Sequence, residues 1–138
     1  MNRRALAVIA ALASAAIACG GSDGVGPPPP PARPADPGPI NFDLDAAPGD
    51  HGAIQLSIVG GAVDSVTGLS GYEVFSTSSP TGSRALVFGS IVDGPLIRVW
   101  IPDLSRASRY TVAVSEGAVR GTYQLVLGSS YQVTRRAD

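Results

Sequence analysis

Residues 84–101 decide the fold. They read Arg84-Ala-Leu-Val-Phe-Gly-Ser-Ile-Val92, then Asp93-Gly94-Pro95, then Leu96-Ile-Arg-Val-Trp-Ile101. Both apolar runs are short and rich in β-branched or aromatic side chains, which favours strands over helices. The Asp-Gly-Pro sequence between them is a turn signal. This part of the chain therefore predicts two consecutive β-strands joined by a short turn.

The same texture extends in both directions from Ile40 to the end of the chain, with turn signals such as Gly60-Gly61, Ser79-Pro80-Thr81-Gly82 and Gly128-Ser129-Ser130. No segment from Ile40 onward shows a sustained stripe of apolar residues at the helical spacing i, i+3, i+4 and i+7. Eight short strands at intervals of about ten residues indicate an all-β fold, a single small antiparallel β-sandwich. The predicted strands are Ile40–Leu44, Ala53–Val59, Gly71–Thr77, Arg84–Val92, Leu96–Ile101, Tyr110–Ser115, Thr122–Leu127 and Tyr131–Arg135.

Residues 1–18 have the pattern of a signal peptide. Two arginines, Arg3 and Arg4, precede an apolar run from Ala5 to Ala18, which is too short to span a bilayer. The run ends in Ala16-Ile17-Ala18, small residues that suit a signal peptidase. Cleavage there leaves eight of the ten basic residues against eleven acidic ones, a net charge of −3. Such a chain lacks the basic surface that nucleic-acid binding requires.

Cys19 follows the predicted cleavage site and is the only cysteine of the chain. The sequence Ala16-Ile17-Ala18-Cys19 resembles the lipobox of bacterial lipoproteins, with alanine where that family most often has leucine. The resemblance implies a diacylglyceryl thioether on Cys19 and a further acyl chain, such as palmitate, on its amine. Several acyl chains hold a protein stably on a membrane. Gly20 rather than Asp after the cysteine implies the outer membrane of the cell envelope, and no cofactor other than this lipid is expected.

Residues 19–39 form the predicted tether between the lipid and the domain. Gly20–Gly26 has few side chains to bury, and the run Pro27–Pro31 favours an extended polyproline II spacer. The alternative is a Pro-x-x-Pro ligand for a partner domain, although a spacer is the commoner use of such a run. The folded domain is expected at residues 40–138.

The order of the predicted strands resembles that of a cohesin-like sandwich. Residues 40–44 correspond to an opening strand, residues 52–58 and 63–66 to the second strand and the segment after it, and residues 84–92, 94–101 and 110–114 to the central strands. Immunoglobulin-like sandwiches fit the pattern nearly as well. The resemblance implies a β-sandwich and carries no catalytic motif.

The sequence offers little for catalysis or metal binding. His51 is the only histidine and is expected in a solvated loop, with no Gly-x-Ser-x-Gly elbow elsewhere. Zinc prefers several Cys or His ligands. Asp43, Asp45 and Asp50 are a weak calcium candidate, because their spacing does not fit an EF-hand loop. Turn capping by aspartate is the ordinary alternative.

Strand alternation singles out Trp100 and Arg98. In residues 96–101, Ile97, Val99 and Ile101 share one face, and Leu96, Arg98 and Trp100 share the other. An arginine on that second face indicates contact with solvent. Trp100 and Arg98 are therefore the candidate binding residues, although a single tryptophan more often covers the core.

These observations favour a lipid-anchored, non-catalytic envelope protein whose sandwich recognises a protein or a glycan. The alternative is a structural or self-associating envelope component without a separate ligand. An enzyme is the least favoured class. The fold class alone does not choose among them.

Overall fold

The computed structural model describes residue 26 and residues 29–45 and 49–137. The chain divides into two compact units, Met1–Ala32 and Arg33–Asp138. The signal peptide, Cys19, residues 20–25, 27 and 28 of the tether and residues 46–48 of the aspartate segment lie outside the described residues. Within the described part, no helix has the length and hydropathy to cross a bilayer.

The second unit is a β-sandwich made of a four-stranded and a five-stranded antiparallel sheet. In the four-stranded sheet the strand order is β3-β6-β1-β9, and in the five-stranded sheet it is β4-β5-β2-β7-β8. The described strands are β1 (Gly38–Asp45), β2 (His51–Val59), β3 (Ser65–Gly68), β4 (Glu73–Ser79), β5 (Gly82–Ile91), β6 (Gly94–Ile101), β7 (Thr111–Val119), β8 (Leu125–Leu127) and β9 (Gln132–Arg135).

The all-β prediction is confirmed, and each of the eight predicted strands overlaps an observed one. Strand β1 begins at Gly38, so Pro39 belongs to the sheet rather than to the tether. Strand β3 was not among the predicted strands. Its four residues, Ser-Val-Thr-Gly, alternate between exposed and half-buried and include one apolar side chain, so no apolar pattern marks it. It forms because β6 presents an edge with which Ser65–Gly68 pairs.

The core lies between the two sheets, where apolar side chains of alternate residues meet. Each fully buried aliphatic side chain of this kind contributes roughly 1.5–3 kcal/mol relative to exposure. The predicted turn at Gly60-Gly61 follows β2 and lies against Arg109 and Tyr110, the residues just before β7. Both glycines have positive φ angles, 137° and 152°, and a Cβ at Gly60 would lie 2.5 Å from the Arg109 carbonyl oxygen. The main contributors to the core are Phe42, Ile54, Leu56, Ile58, Val87, Ile91, Leu96, Ile97, Val99 and Ile101.

Leu96 corrects the alternation predicted for β6. Ile97 is buried as expected, but Leu96 is also 0 % exposed instead of lying on the outer face. The register between β1 and β6 explains the difference: Phe42 pairs with Ile97 and Asp43 pairs with Pro95, which leaves Leu96 as an extra residue. Such a β-bulge places two residues against one and re-aims a side chain. Leu96 and Ile97 are therefore both in the core.

Candidate functional site

Arg98 and Trp100 lie on the outer face of the four-stranded sheet, as alternation predicted for these two residues. Trp100 is 40 % exposed and stands between Pro39 of β1 and Ser65 of β3 in the sheet register. The Arg98 Nε atom donates a hydrogen bond to Asn41 Oδ1 at 3.1 Å. Apart from Pro39, the neighbouring residues on this sheet face are polar, namely Ser65, Thr67, Arg98 and Asn41, so Trp100 is the one large aromatic side chain among them. We call it the Trp100 face.

The three aspartates of the calcium candidate are not brought together as a ligand set. Arg136 binds Asp43 through two hydrogen bonds, from Nε at 3.0 Å and from Nη2 at 2.6 Å. Asp50 forms an ion pair with Arg120 at 3.4 Å. In the part of the chain that the structure describes, no group of three or more His, Cys, Asp or Glu side chains is placed to hold a metal ion. Arginine neighbours already neutralise two of the carboxylates.

His51 was expected in a solvated loop, and this expectation is wrong. It is the first residue of β2, only 1 % exposed, because its backbone pairs with β5 and β7 at Ile91 and Val119. The Tyr131 hydroxyl lies 3.1 Å from His51 Nδ1, and the two rings meet edge-on at 5.1 Å. Burial raises the pKa of Tyr131, so its hydroxyl stays protonated near neutral pH. The imidazole is therefore sealed from solvent and is not placed to act as a base on a bound substrate.

A surface that the sequence analysis missed lies on the outer face of the five-stranded sheet. Five large side chains there, together with Tyr123 in the turn between β7 and β8, are between 38 and 82 % exposed. On β5 and β8 their neighbours Ala85, Val87 and Val126 face the core, so the exposed residues must face outward. We call this surface the apolar face, and its members are Phe75, Leu86, Phe88, Tyr123, Leu125 and Leu127.

The strand register makes the apolar face continuous. One row of directly paired residues crosses four strands from Phe88 through Ala53 and Ala118 to Leu125. The next row runs from Phe75 and Leu86 through the polar Gln55 and Glu116 to Leu127, so its apolar side chains lie at its two ends. Neighbouring side chains on one sheet face interact across strands. Accordingly, the rings of Phe75 and Phe88 meet edge-on, with centroids 5.9 Å apart.

Open depressions on the surface link the two ends of the apolar face. The first lies between strands β4 and β5 and is lined by Phe75 and Leu86. The second is lined by Leu86 and Leu125, and the third by Phe88 and Tyr123. The first two share Gln55, and the last two share Ala53. With about 200 Å² for a fully exposed aromatic side chain and a smaller value for leucine, the six residues expose on the order of 600 Å². That is the upper end of what a monomer usually exposes in one patch.

Charges of both signs surround the apolar face. Glu73 and Arg84 are exposed at opposite ends of the β4–β5 pair, and Glu116 is exposed on β7 beside Leu127. Among the described residues, neither Glu73 nor Arg84 makes an ion pair. The face therefore has no strong field of one sign.

The sequence does contain a signal for this surface. Residues 85–88 read Ala-Leu-Val-Phe, apolar at both parities, which is typical of a strand covered on both sides. In the structure Ala85 and Val87 fill the core, whereas Leu86 and Phe88 stay 42 and 38 % exposed on the other face. Predicting strands without assigning their two faces was therefore not enough to find it.

The described part of the chain thus presents two candidate binding surfaces, one on each sheet. The Trp100 face is polar with one aromatic side chain, and the apolar face is broad and contains six large apolar side chains. No family model, no curated protein and no solved structure matches this chain.

Proposed function

We propose that this protein is an exported, non-catalytic binding module that a lipid on Cys19 anchors to the outer membrane and that recognises a protein through its apolar face. The sole cysteine after Ala16-Ile17-Ala18 supports the anchor, and the proline run of the tether supports a domain held away from the lipid. The resemblance to cohesin-like or immunoglobulin-like sandwiches remains a prediction beyond the β-sandwich itself.

The exposed apolar face is the observation that carries the proposal. Removing apolar surface from water is favourable by roughly 25 cal/mol for each Å². Burial of a patch on the order of 600 Å² by a partner would therefore release a large free energy. Phenylalanine, tyrosine and leucine side chains on a flat sheet fit a protein surface better than a sugar, which needs convergent polar groups. The enclosed position of His51 fits a role without catalysis.

A glycan is the second candidate ligand, and the Trp100 face favours it. An exposed tryptophan provides a flat surface on which a sugar ring can stack, and the Arg98–Asn41 pair provides hydrogen-bonding groups on the same sheet. The Trp100 face has one aromatic side chain, and its residues line none of the depressions described around Phe75 and Leu125. It is therefore the weaker of the two surfaces.

Site-specific photo-crosslinking in the native envelope tests the proposal. A photoreactive residue at position 75 should give a discrete adduct with a protein that mass spectrometry identifies. The same residue at position 67, which is exposed on β3 of the opposite sheet, is the matched control and should give none. The Trp100→Ala variant should not change the adduct at position 75. Equal crosslinking at the two positions, or none at position 75, would contradict protein recognition by the apolar face.

A further inference from the structure

We infer that the apolar face binds a second copy of this chain, so that two five-stranded sheets pack face to face about a two-fold axis. This inference rests on the proposed function, because it names the protein that the apolar face binds. Two-fold pairs are the commonest protein assemblies, and each copy contributes the same self-complementary patch. The area of the apolar face and the placement of Glu73 and Arg84 on it support such a pair.

The available area approaches that of a standard interface. A standard interface buries roughly 800 Å² on each partner, with an apolar centre and a polar rim. The six large side chains supply on the order of 600 Å² when aromatic residues are taken as about 200 Å² each. Gln55, Thr77 and Ala118 lie among or beside them and add polar and small-residue area. Packed sheets at the usual spacing of about 10 Å would interdigitate these side chains.

The two unpaired charges are arranged symmetrically about one row of the sheet. Glu73 pairs with Phe88, Phe75 pairs with Leu86, and Thr77 pairs with Arg84. Glu73 and Arg84 therefore lie equally far from the Phe75–Leu86 row, on either side of it. A two-fold axis that runs along this row and across the strands places Glu73 of one copy over Thr77 of the other, beside its Arg84.

This geometry gives Glu73 and Arg84 each a partner of opposite sign. The pair between Glu73 and the second copy's Arg84 occurs twice because of the symmetry, at the rim of the interface where it sets the register. Phe75 and Leu86 of the two copies meet at the axis, which makes them the centre of the interface. Glu116 belongs to the same row through Gln55, so the axis also brings the two Glu116 side chains together, and the two Glu73–Arg84 pairs outnumber this single like-charge contact.

Other occupants of the apolar face fit less well. An anionic lipid surface or a strongly acidic partner would require a basic patch, but this face carries Glu73 and Glu116 as well as Arg84. Binding of a protein with a different sequence is one of the outcomes that the experiment below distinguishes. The mixed charge and the symmetric placement of Glu73 and Arg84 are properties that a second copy uses fully.

Charge exchange in the full-length, detergent-extracted protein tests the inference by sedimentation velocity over a concentration series. The wild type should form dimers. Glu73→Arg alone and Arg84→Glu alone should each raise the dimer dissociation constant at least tenfold, because like charges then meet twice. The double variant with both exchanges should return to within threefold of the wild type. Arg98→Glu reverses an arginine on the opposite sheet and is the matched control, which should leave the dissociation constant unchanged.

Each outcome has a distinct meaning. A wild-type monomer at all concentrations, combined with a position-75 adduct to a different protein, would overturn self-association and leave the proposed protein recognition intact. A monomer without any adduct at position 75 would overturn both. A dimer whose affinity is unchanged by either single exchange would overturn the two-fold arrangement. Weaker dimers in both single variants, together with a restored dissociation constant in the double variant, support the two-fold arrangement.

Discussion

Truncation of Leu96 to alanine should lower the free energy of unfolding by about 3 kcal/mol. Strict alternation along β6 would place Leu96 on the exposed face with Arg98 and Trp100. Leu96 is nevertheless 0 % exposed, because the β1–β6 register leaves it as the extra residue of a bulge. The substitution therefore tests whether the bulge sets the direction of this side chain. Leu86→Ala is the matched control, since it removes the same atoms from a leucine on the apolar face.

The expected magnitudes follow from burial. A fully buried leucine contributes about 1.5–3 kcal/mol by transfer from water, and the cavity left by truncation brings the total to about 2–5 kcal/mol. Leu86 keeps 42 % of its surface in water. Its truncation loses roughly half of the transfer term and leaves no closed cavity, which amounts to about 1 kcal/mol.

Urea unfolding of the full-length protein measures both variants. Trp100 is the only tryptophan of the chain, so its fluorescence reports the sandwich directly. The experiment uses dilute protein, so that contacts between copies do not stabilise the wild type. A midpoint for Leu96→Ala that equals or exceeds the midpoint for Leu86→Ala would refute the bulge as the reason for the burial of Leu96.

Three further predictions concern the anchor, the start of the domain and the buried tyrosine. Cys19→Ser should abolish incorporation of labelled palmitate and partition into the detergent phase, and labelling that survives would rule out this cysteine as the lipid site. A chain that starts at Ile40 should melt at a lower temperature than one that starts at Arg33, because it loses two residue pairs of β1 with β6; equal melting temperatures in calorimetry would contradict this. Tyr131→Phe should cost about 1 kcal/mol through the lost hydrogen bond to His51, as read from urea midpoints. Burial raises the pKa of Tyr131 above its usual value of 10.0, so this group's contribution is complete below about pH 10 and is lost as the pH rises through the raised pKa; stability that increases above pH 10 would contradict the assignment.

The sequence was sufficient for the fold class because the strands and turns are marked by local chemistry. Short β-branched runs between Gly, Pro, Asp and Ser predict strands wherever the resulting sheet is placed. The outward direction of Arg98 and Trp100 was also predictable, since alternation between Ile97 and Ile101 is regular beyond the bulge. These features depend only on neighbours in the chain.

The remaining features depend on contacts between distant residues. The burial of Leu96 requires the register of β1 against β6, and the burial of His51 requires pairing with β5 and β7. Strand β3 has no apolar pattern of its own and exists through its pairing with β6. The apolar face joins β4 and β5 to β7 and β8 through β2, which lies between β5 and β7 in the sheet although it precedes β4 in the sequence. Local patterns do not encode these pairings.

The accessibility of position 75 in the native envelope tests the central proposal most directly. In the free domain Phe75 is 57 % exposed, so a cysteine there would react readily with a small charged maleimide. Modification rates of Phe75→Cys and Thr67→Cys, each normalised to the urea-unfolded protein, separate an occupied apolar face from a free one. We predict that position 75 reacts at least tenfold more slowly than position 67 in intact envelopes. Equal normalised rates at the two positions would contradict a binding role for the apolar face.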